Sequence, residues 1–306
     1  MRVLVTGATG FVGYAVVAAL AERGHAVTAL GRRGNAPPGA DRLVRADVRD
    51  ADAVAAAAAG ADAVCHLAAL VRVRDSFAEP LEYWRTNLVG TLNVLSALRT
   101  RAEPARLVLS STAAVYGSPR RQPVDEDQPA DPRNPYAATK LAADLAAADL
   151  AASGAVGAVS LRAFNVAGAA AGRADTELTR LIPKVLAVRA GNAPELVVNG
   201  DGSAERDFLH VADLADAFVR ALDACVPGRW RAYTVGSGRR TTIRDVLAVA
   251  EEVTAGPVPV RFAPAADEPP VLVADPTRAR TELGWHPVRS DLPTILGDAW
   301  QAVRGG

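Results

Sequence analysis

Tyr136 and Lys140 stand four residues apart in the run Asn134-Pro-Tyr-Ala-Ala-Thr-Lys140. On one helix, positions i and i+4 share a face. A phenol titrates near pH ~10 and is a poor base at neutrality. A cation beside it favours the phenolate. The pair therefore reads as a proton-transfer device. Far upstream the chain opens Val3-Leu-Val-Thr-Gly-Ala-Thr-Gly-Phe-Val-Gly13. Gly7, Gly10 and Gly13 follow an apolar run and precede an amphipathic one. Backbone without a Cβ can turn tightly and approach a pyrophosphate, while the helix N-terminus offers unpaired N–H groups. A dinucleotide site plus an activated tyrosine suggests oxidation or reduction of a carbon bearing a hydroxyl.

Short apolar runs at Val3–Thr6, Ala26–Leu30, Arg42–Arg45, Ala63–Leu67 and Arg106–Ser110 read as strands. Helical patterns lie between them, at Phe11–Arg23, Ala51–Ala59, Pro80–Thr100 and Tyr136–Ser153. Asp50 suits an N-cap, and Gly60 the residue just past a helix end. Val159–Leu161 is the next strand. Such alternation predicts an α/β fold with a Rossmann-type, doubly wound parallel sheet. After Phe164 the texture changes, and Asn165–Phe208 reads as short pieces rich in Gly and Pro. His210–Asp223 is helical, Arg231–Val235 a strand, and Thr242–Thr254, Asp275–Leu283 and Leu292–Val303 are helices. The expected organisation is a cofactor domain over 1–164, to which the chain returns around 207–237. A smaller C-terminal α/β substrate domain spans 165–306, with ligands in the cleft between them.

The chain has 306 residues, half of them hydrophobic, enough for a large core. Its 34 basic residues equal its 34 acidic ones, so no basic field draws nucleic acid or an anionic membrane. No stretch is apolar enough to span a bilayer, and the opening strand is not a signal peptide. Cys65 and Cys225 lack metal spacing, and His25, His66, His210 and His286 read as structural, so no metal is expected. A cytoplasmic location follows. The second strand ends Gly31-Arg32-Arg33, without the acid that would bond a ribose. Two arginines there suit a 2′-phosphate, and would look the same if they only faced solvent. Asp47-Val48, after the third strand, could accept from an adenine amino group or merely form a turn.

These stretches, with His66-Leu-Ala-Ala69, Asn87–Asn93, Ser110–Gly117, Leu161–Asn165, Arg206–Asp213 and Glu282–Trp285, resemble the extended short-chain dehydrogenase/reductase family. The likeness is greatest to its UDP-glucose 4-epimerase branch. It implies that Tyr136 is the general acid/base, that Lys140 also holds the nicotinamide ribose, and that Thr112 is the catalytic hydroxyl. It extends the cofactor wall to Phe11, Val12, Leu67, Ala68, Ala69, Asn87 and Phe164. Asn165 and Arg206 resemble residues that hold a nucleotide-sugar diphosphate. Three positions depart from the pattern. The segment Phe262–Asp267 lacks a further diphosphate arginine, leaving Arg261 displaced. Val71 replaces a cofactor lysine, and Arg180 stands in the substrate site in place of an asparagine.

The resemblance implies a nucleotide-sugar 4-epimerase for a UDP- or dTDP-hexose, working through a 4-keto sugar with bound NAD. Gly31-Arg32-Arg33 leaves NADP open, and with it an NADP-dependent 4-ketoreductase. A non-catalytic NAD(P)-sensing protein is the reading of another class; it would not need Thr112, Tyr136 and Lys140 together. The apolar residues Leu88, Leu92 and Leu95, with Leu141 and Leu145, suggest the two-helix face of a homodimer.

Overall fold

The computed structural model describes residues 1–101, 103–265 and 268–305. Seven strands form one wholly parallel sheet: β1 (Arg2–Thr6), β2 (Ala26–Gly31), β3 (Arg42–Arg45), β4 (Ala63–His66), β5 (Ala105–Thr112), β6 (Val156–Ala163) and β7 (Trp230–Val235). Their spatial order is β3-β2-β1-β4-β5-β6-β7. The order reverses between β1 and β4, and a doubly wound sheet binds its ligands at such a switch point. β7 pairs with β6 at the edge of this sheet, although the segment following Phe164 lies between them in the chain.

Side chains alternate across the sheet. Val3 and Val5 of β1 join one core cluster, and Leu4 joins the other. The first cluster is covered by helix α1 (Phe11–Glu22), and the second by α2 (Ala51–Ala58), α3 (Gly90–Arg99) and α4 (Pro135–Ala152). Both faces are thus buried, as a parallel sheet requires. Helix α5 (Leu181–Arg189) belongs to a third cluster of C-terminal segments. Helix α6 (Val211–Ala224) returns to the first cluster and packs on α1. Asp50 caps α2 by accepting from Ala53 N at 3.0 Å, and Gly60 takes the left-handed conformation, φ +75°.

Three readings need correction. Pro80–Thr100 is not one α-helix. It is α-helical at Pro80–Tyr83, widens to a π-helical turn at Trp84–Val89, and resumes as α3. Such insertions gather at functional sites, and this one carries the buried Thr86 and Asn87. Helix α5 was not foreseen, because Ile182, Pro183 and Val185–Val188 are all buried and leave no polar stripe to reveal the period. The apolar stripes are also only partly outward. Leu95 is buried in its own core and Leu141 packs beside Tyr116, whereas Val89, Leu92 and Leu145 face solvent.

Candidate active site

The turn from β1 into α1 is built on close backbone approaches. Gly7 has φ +68°, and a Cβ there would lie 2.7 Å from Ala68 N. A Cβ on Gly13 would run into the Gly7 carbonyl oxygen. Gly10 N donates to Gly7 O at 3.0 Å, and no side chain caps α1. The strand end, the loop after β4 and the helix N-terminus therefore meet with nothing between them. Unpaired helix N–H groups with no Cβ in the way have the geometry of an anion cradle. Thr6 ties it together. Its Oγ1 contacts His66 Nδ1 at 2.7 Å and accepts from Leu67 N and Ala68 N at 3.2 Å. His66 reaches on to Thr91 Oγ1 at 3.0 Å. Burial and the Lys140 cation push His66 down to about 3, so it stays neutral and structural.

A cleft of about 670 Å³ runs along this turn. Its walls include Gly7, Gly10, Phe11, Val12 and Gly13, then Arg32, Arg33, Asp47 and Val48 at one end, and Leu67, Ala68 and Ala69 beside β4. Arg180 closes the far side, with Asp175 Oδ2 accepting from its Nη1 at 2.7 Å. Arg32 leans to Asp47 at 3.7 Å and is half exposed. Asp47 is engaged chiefly by Arg49, which holds its carboxyl below the usual range, so the expected adenine acceptor is already occupied.

Other expected residues are engaged with their own neighbours or stand at the cleft without a charge. Asn87 is buried, accepts from Leu70 N at 2.7 Å, and donates to Leu70 O and Thr139 Oγ1, each at 3.0 Å. It fixes the loop after β4 to helix α4. Phe164 is a packing residue among Val115, Tyr116 and Ala274. Asn165 donates to Asp207 O at 3.1 Å. Arg206 donates to the carbonyls of Glu205 and Pro269 and pairs with Glu268 at 3.0 Å. Arg261 pairs outward with Glu195 at 2.7 Å and supplies no second anchor. Asp267, at the end of that segment, lies outside the described residues. Val71 lines the cleft without a charge, and its neighbour Arg72 binds Glu177 across it at 2.5 Å. No group of metal-ligating side chains occurs among the described residues.

Helix α4 begins at Asn134, whose Oδ1 accepts from Ala137 N at 2.8 Å, with Pro135 in its first turn. That start places Tyr136 and Lys140 on the sheet side, both buried. Burial pushes the Tyr136 phenol up, opposed by the Thr112 hydroxyl and the Arg180 charge. The Lys140 charge acts on His66, which it lowers. Burial pushes Lys140 down to about 8, and Asp144, one turn on, opposes the loss.

Asp144 was not anticipated. Its Oδ2 accepts from Ser111 Oγ at 3.0 Å and Arg162 Nε at 3.2 Å. Arg162 also donates to Tyr116 OH at 3.0 Å and lies 5.2 Å over that ring. The spacing of Asp144 from Lys140, again i to i+4, was the available signal.

With this geometry in hand, comparison with known proteins is decisive. The profile of the NAD dependent epimerase/dehydratase family matches residues 3–236. The chain belongs to that family. It is 41% identical to the UDP-glucose 4-epimerase of Corynebacterium glutamicum over 313 residues, covering 98% of this chain and 95% of that one. The enzyme of the same name from Streptomyces lividans is 40% identical, with the same coverage. Among solved structures, the UDP-glucose-4-epimerase of Stenotrophomonas maltophila with bound NAD and formylated UDP-arabinopyranose superposes with a TM-score of 0.93. It is 33% identical, over 100% of this chain and 98% of that one. The Brucella ovis enzyme in complex with NAD gives 0.91 at 36% identity, over 98% and 97%.

Because Lys140 sits near 8, activity that needs its cation is present below that pH and falls as pH rises through it. Removing the opposing carboxylate by Asp144→Asn should move this alkaline limb to lower pH. Initial rates between pH 6 and 10 (roughly the span between the ordinary histidine and lysine values) check both. An alkaline limb that stays put in the variant would dissociate Asp144 from Lys140.

Proposed function

We propose that the protein is a nucleotide-sugar 4-epimerase that uses NAD and acts on a UDP-hexose. The observations that carry this reading are the Cβ-excluding turn of Gly7, Gly10 and Gly13 and a helix that buries Tyr136 and Lys140 one turn apart, in a chain of the epimerase family. The cradle excludes any Cβ, which suits close approach of a dinucleotide pyrophosphate. NAD, when bound, would take hydride from sugar C4 and return it to the opposite face.

The chain's own residues manage the proton. Tyr136 as phenolate accepts the proton of the C4 hydroxyl as the C4–H bond breaks, and gives it back when hydride returns. Thr112 donates to the same oxygen and steadies the developing charge. Lys140 lies one turn along α4, where the nicotinamide ribose would pass. Arg206 and Asn165, with Arg180, face the substrate, and a guanidinium fork suits a diphosphate. The 4-keto sugar turns about its diphosphate linkage between the two hydride transfers, so no net redox occurs.

The ketoreductase alternative drew on Arg32 and Arg33, and Arg32 leans on Asp47. The named structural relatives carry NAD, which favours the epimerase. No described helix is long and apolar enough to cross a membrane. We place the enzyme in the cytoplasm, as a homodimer that covers Val89, Leu92 and Leu145.

Tyr136→Phe should abolish interconversion of UDP-glucose and UDP-galactose while leaving NAD affinity nearly unchanged. Wild-type turnover in that variant would sink the mechanism. Arg206→Ala should raise KM for the UDP-sugar by roughly tenfold or more, the worth of a charged hydrogen bond, with a smaller loss in kcat. Comparing UDP- and dTDP-hexoses in the same assay settles the base. Light scattering should give a dimer mass at micromolar protein, and a monomer would overturn the assembly.

A further inference from the structure

A hairpin joins Ala169–Ala170 to Arg173–Ala174, with Ala170 opposite Arg173. Its loop is only Ala171-Gly172, both left-handed at φ +52° and +77°. Two positive φ values make the tight turn whose twist matches paired strands. Alanine is strained there, and such strain persists only where the surroundings fix it.

What the turn presents is Arg173. Its guanidinium carbon lies 5.0 Å over the ring of Tyr14. Tyr14 is in the first turns of α1, its N–H bonded to Gly10 O at 2.9 Å. Arg173 lines the same cleft as Gly7, Gly10 and Phe11. It is half-buried, and among the described residues it makes no ion pair and no side-chain hydrogen bond. The other arginines of the far wall are engaged, Arg72 with Glu177 and Arg180 with Asp175. Stacking on a ring leaves the edge N–H groups of a guanidinium free.

The cradle needs such a group. The N-terminus of a helix offers about half a positive charge, and α1 carries no charged side chain in its first turn. A dinucleotide pyrophosphate brings two negative charges, and in the cleft their remainder requires a cation. We propose that Arg173 is a side-chain ligand of the cofactor pyrophosphate, closing the cradle from the side opposite the Gly7–Gly13 backbone. This rests on the dinucleotide reading above. It makes the hairpin, which belongs to the chain beyond β6, part of the cofactor site.

Calorimetric titration of wild type, Arg173→Ala and Arg173→Lys with NAD, ADP-ribose and adenosine tests the proposal. Arg173→Ala should weaken NAD and ADP-ribose roughly 10- to 100-fold, as loss of a charged hydrogen-bonded contact does. Adenosine binding and KM for the UDP-sugar should stay within about twofold, since neither involves that pyrophosphate. Arg173→Lys should recover part of the loss, having the charge without the fork. Equal weakening of NAD and adenosine would overturn the proposal, because Arg173 would then only pack on Tyr14. Unchanged NAD affinity with a raised sugar KM would also overturn it, placing Arg173 on the substrate's diphosphate. A wild type that binds none of the three ligands would overturn the cofactor reading itself.

Discussion

The side-chain amide of Asn87 spends both its ends on neighbouring elements: Leu70 in the loop after β4, and Thr139 in α4. Thr139 lies between Tyr136 and Lys140, and Leu70 follows the loop that walls the cleft. One buried side chain thus ties the helix of Tyr136 and Lys140 to the loop after β4. An amide is suited to this because it donates and accepts at once. Its burial raises the cost of any other arrangement, since an unmet donor or acceptor would lose its solvation without return. The π-helical turn that carries Asn87 inward is the backbone's accommodation to that demand.

A second layer acts on charge. Lys140 has Asp144 one helical turn behind it, and Asp144 is held by Ser111 and Arg162 from β5 and β6. Arg162 is in turn stacked on Tyr116 and held by its hydroxyl. The electrostatics of the proton-transfer helix is therefore set from within the sheet. Fixed dipoles and ions that need not reorganise are what make such a site effective. Burial pushes the Tyr136 phenol up, and the groups that oppose this come from outside α4: the Thr112 hydroxyl at the end of β5 and the Arg180 charge from beyond the sheet.

Much of this was legible in the sequence. Every strand of the main sheet was foreseen in place, because parallel strands are apolar on both faces and are punctuated by glycine. The glycine cradle and the Tyr–Lys pair were legible because their spacing is local. What escaped was non-local. Asp144, Arg162 and Arg173 gain meaning only from residues distant in the chain. Helix α5 escaped because burial on nearly all sides erases its period.

The position of β7 has a consequence for how the chain acquires this fold. β6 is eight residues long and buried along almost its whole length. Its outer neighbour β7 arrives only at residue 230, after the hairpin, helix α5 and α6 have been made. Until then a mostly apolar parallel edge is open during synthesis, the kind of surface that recruits other strands. The segment of residues 164–229 stands between the two strands in the chain, so its length and speed of collapse set how long that edge stays uncovered.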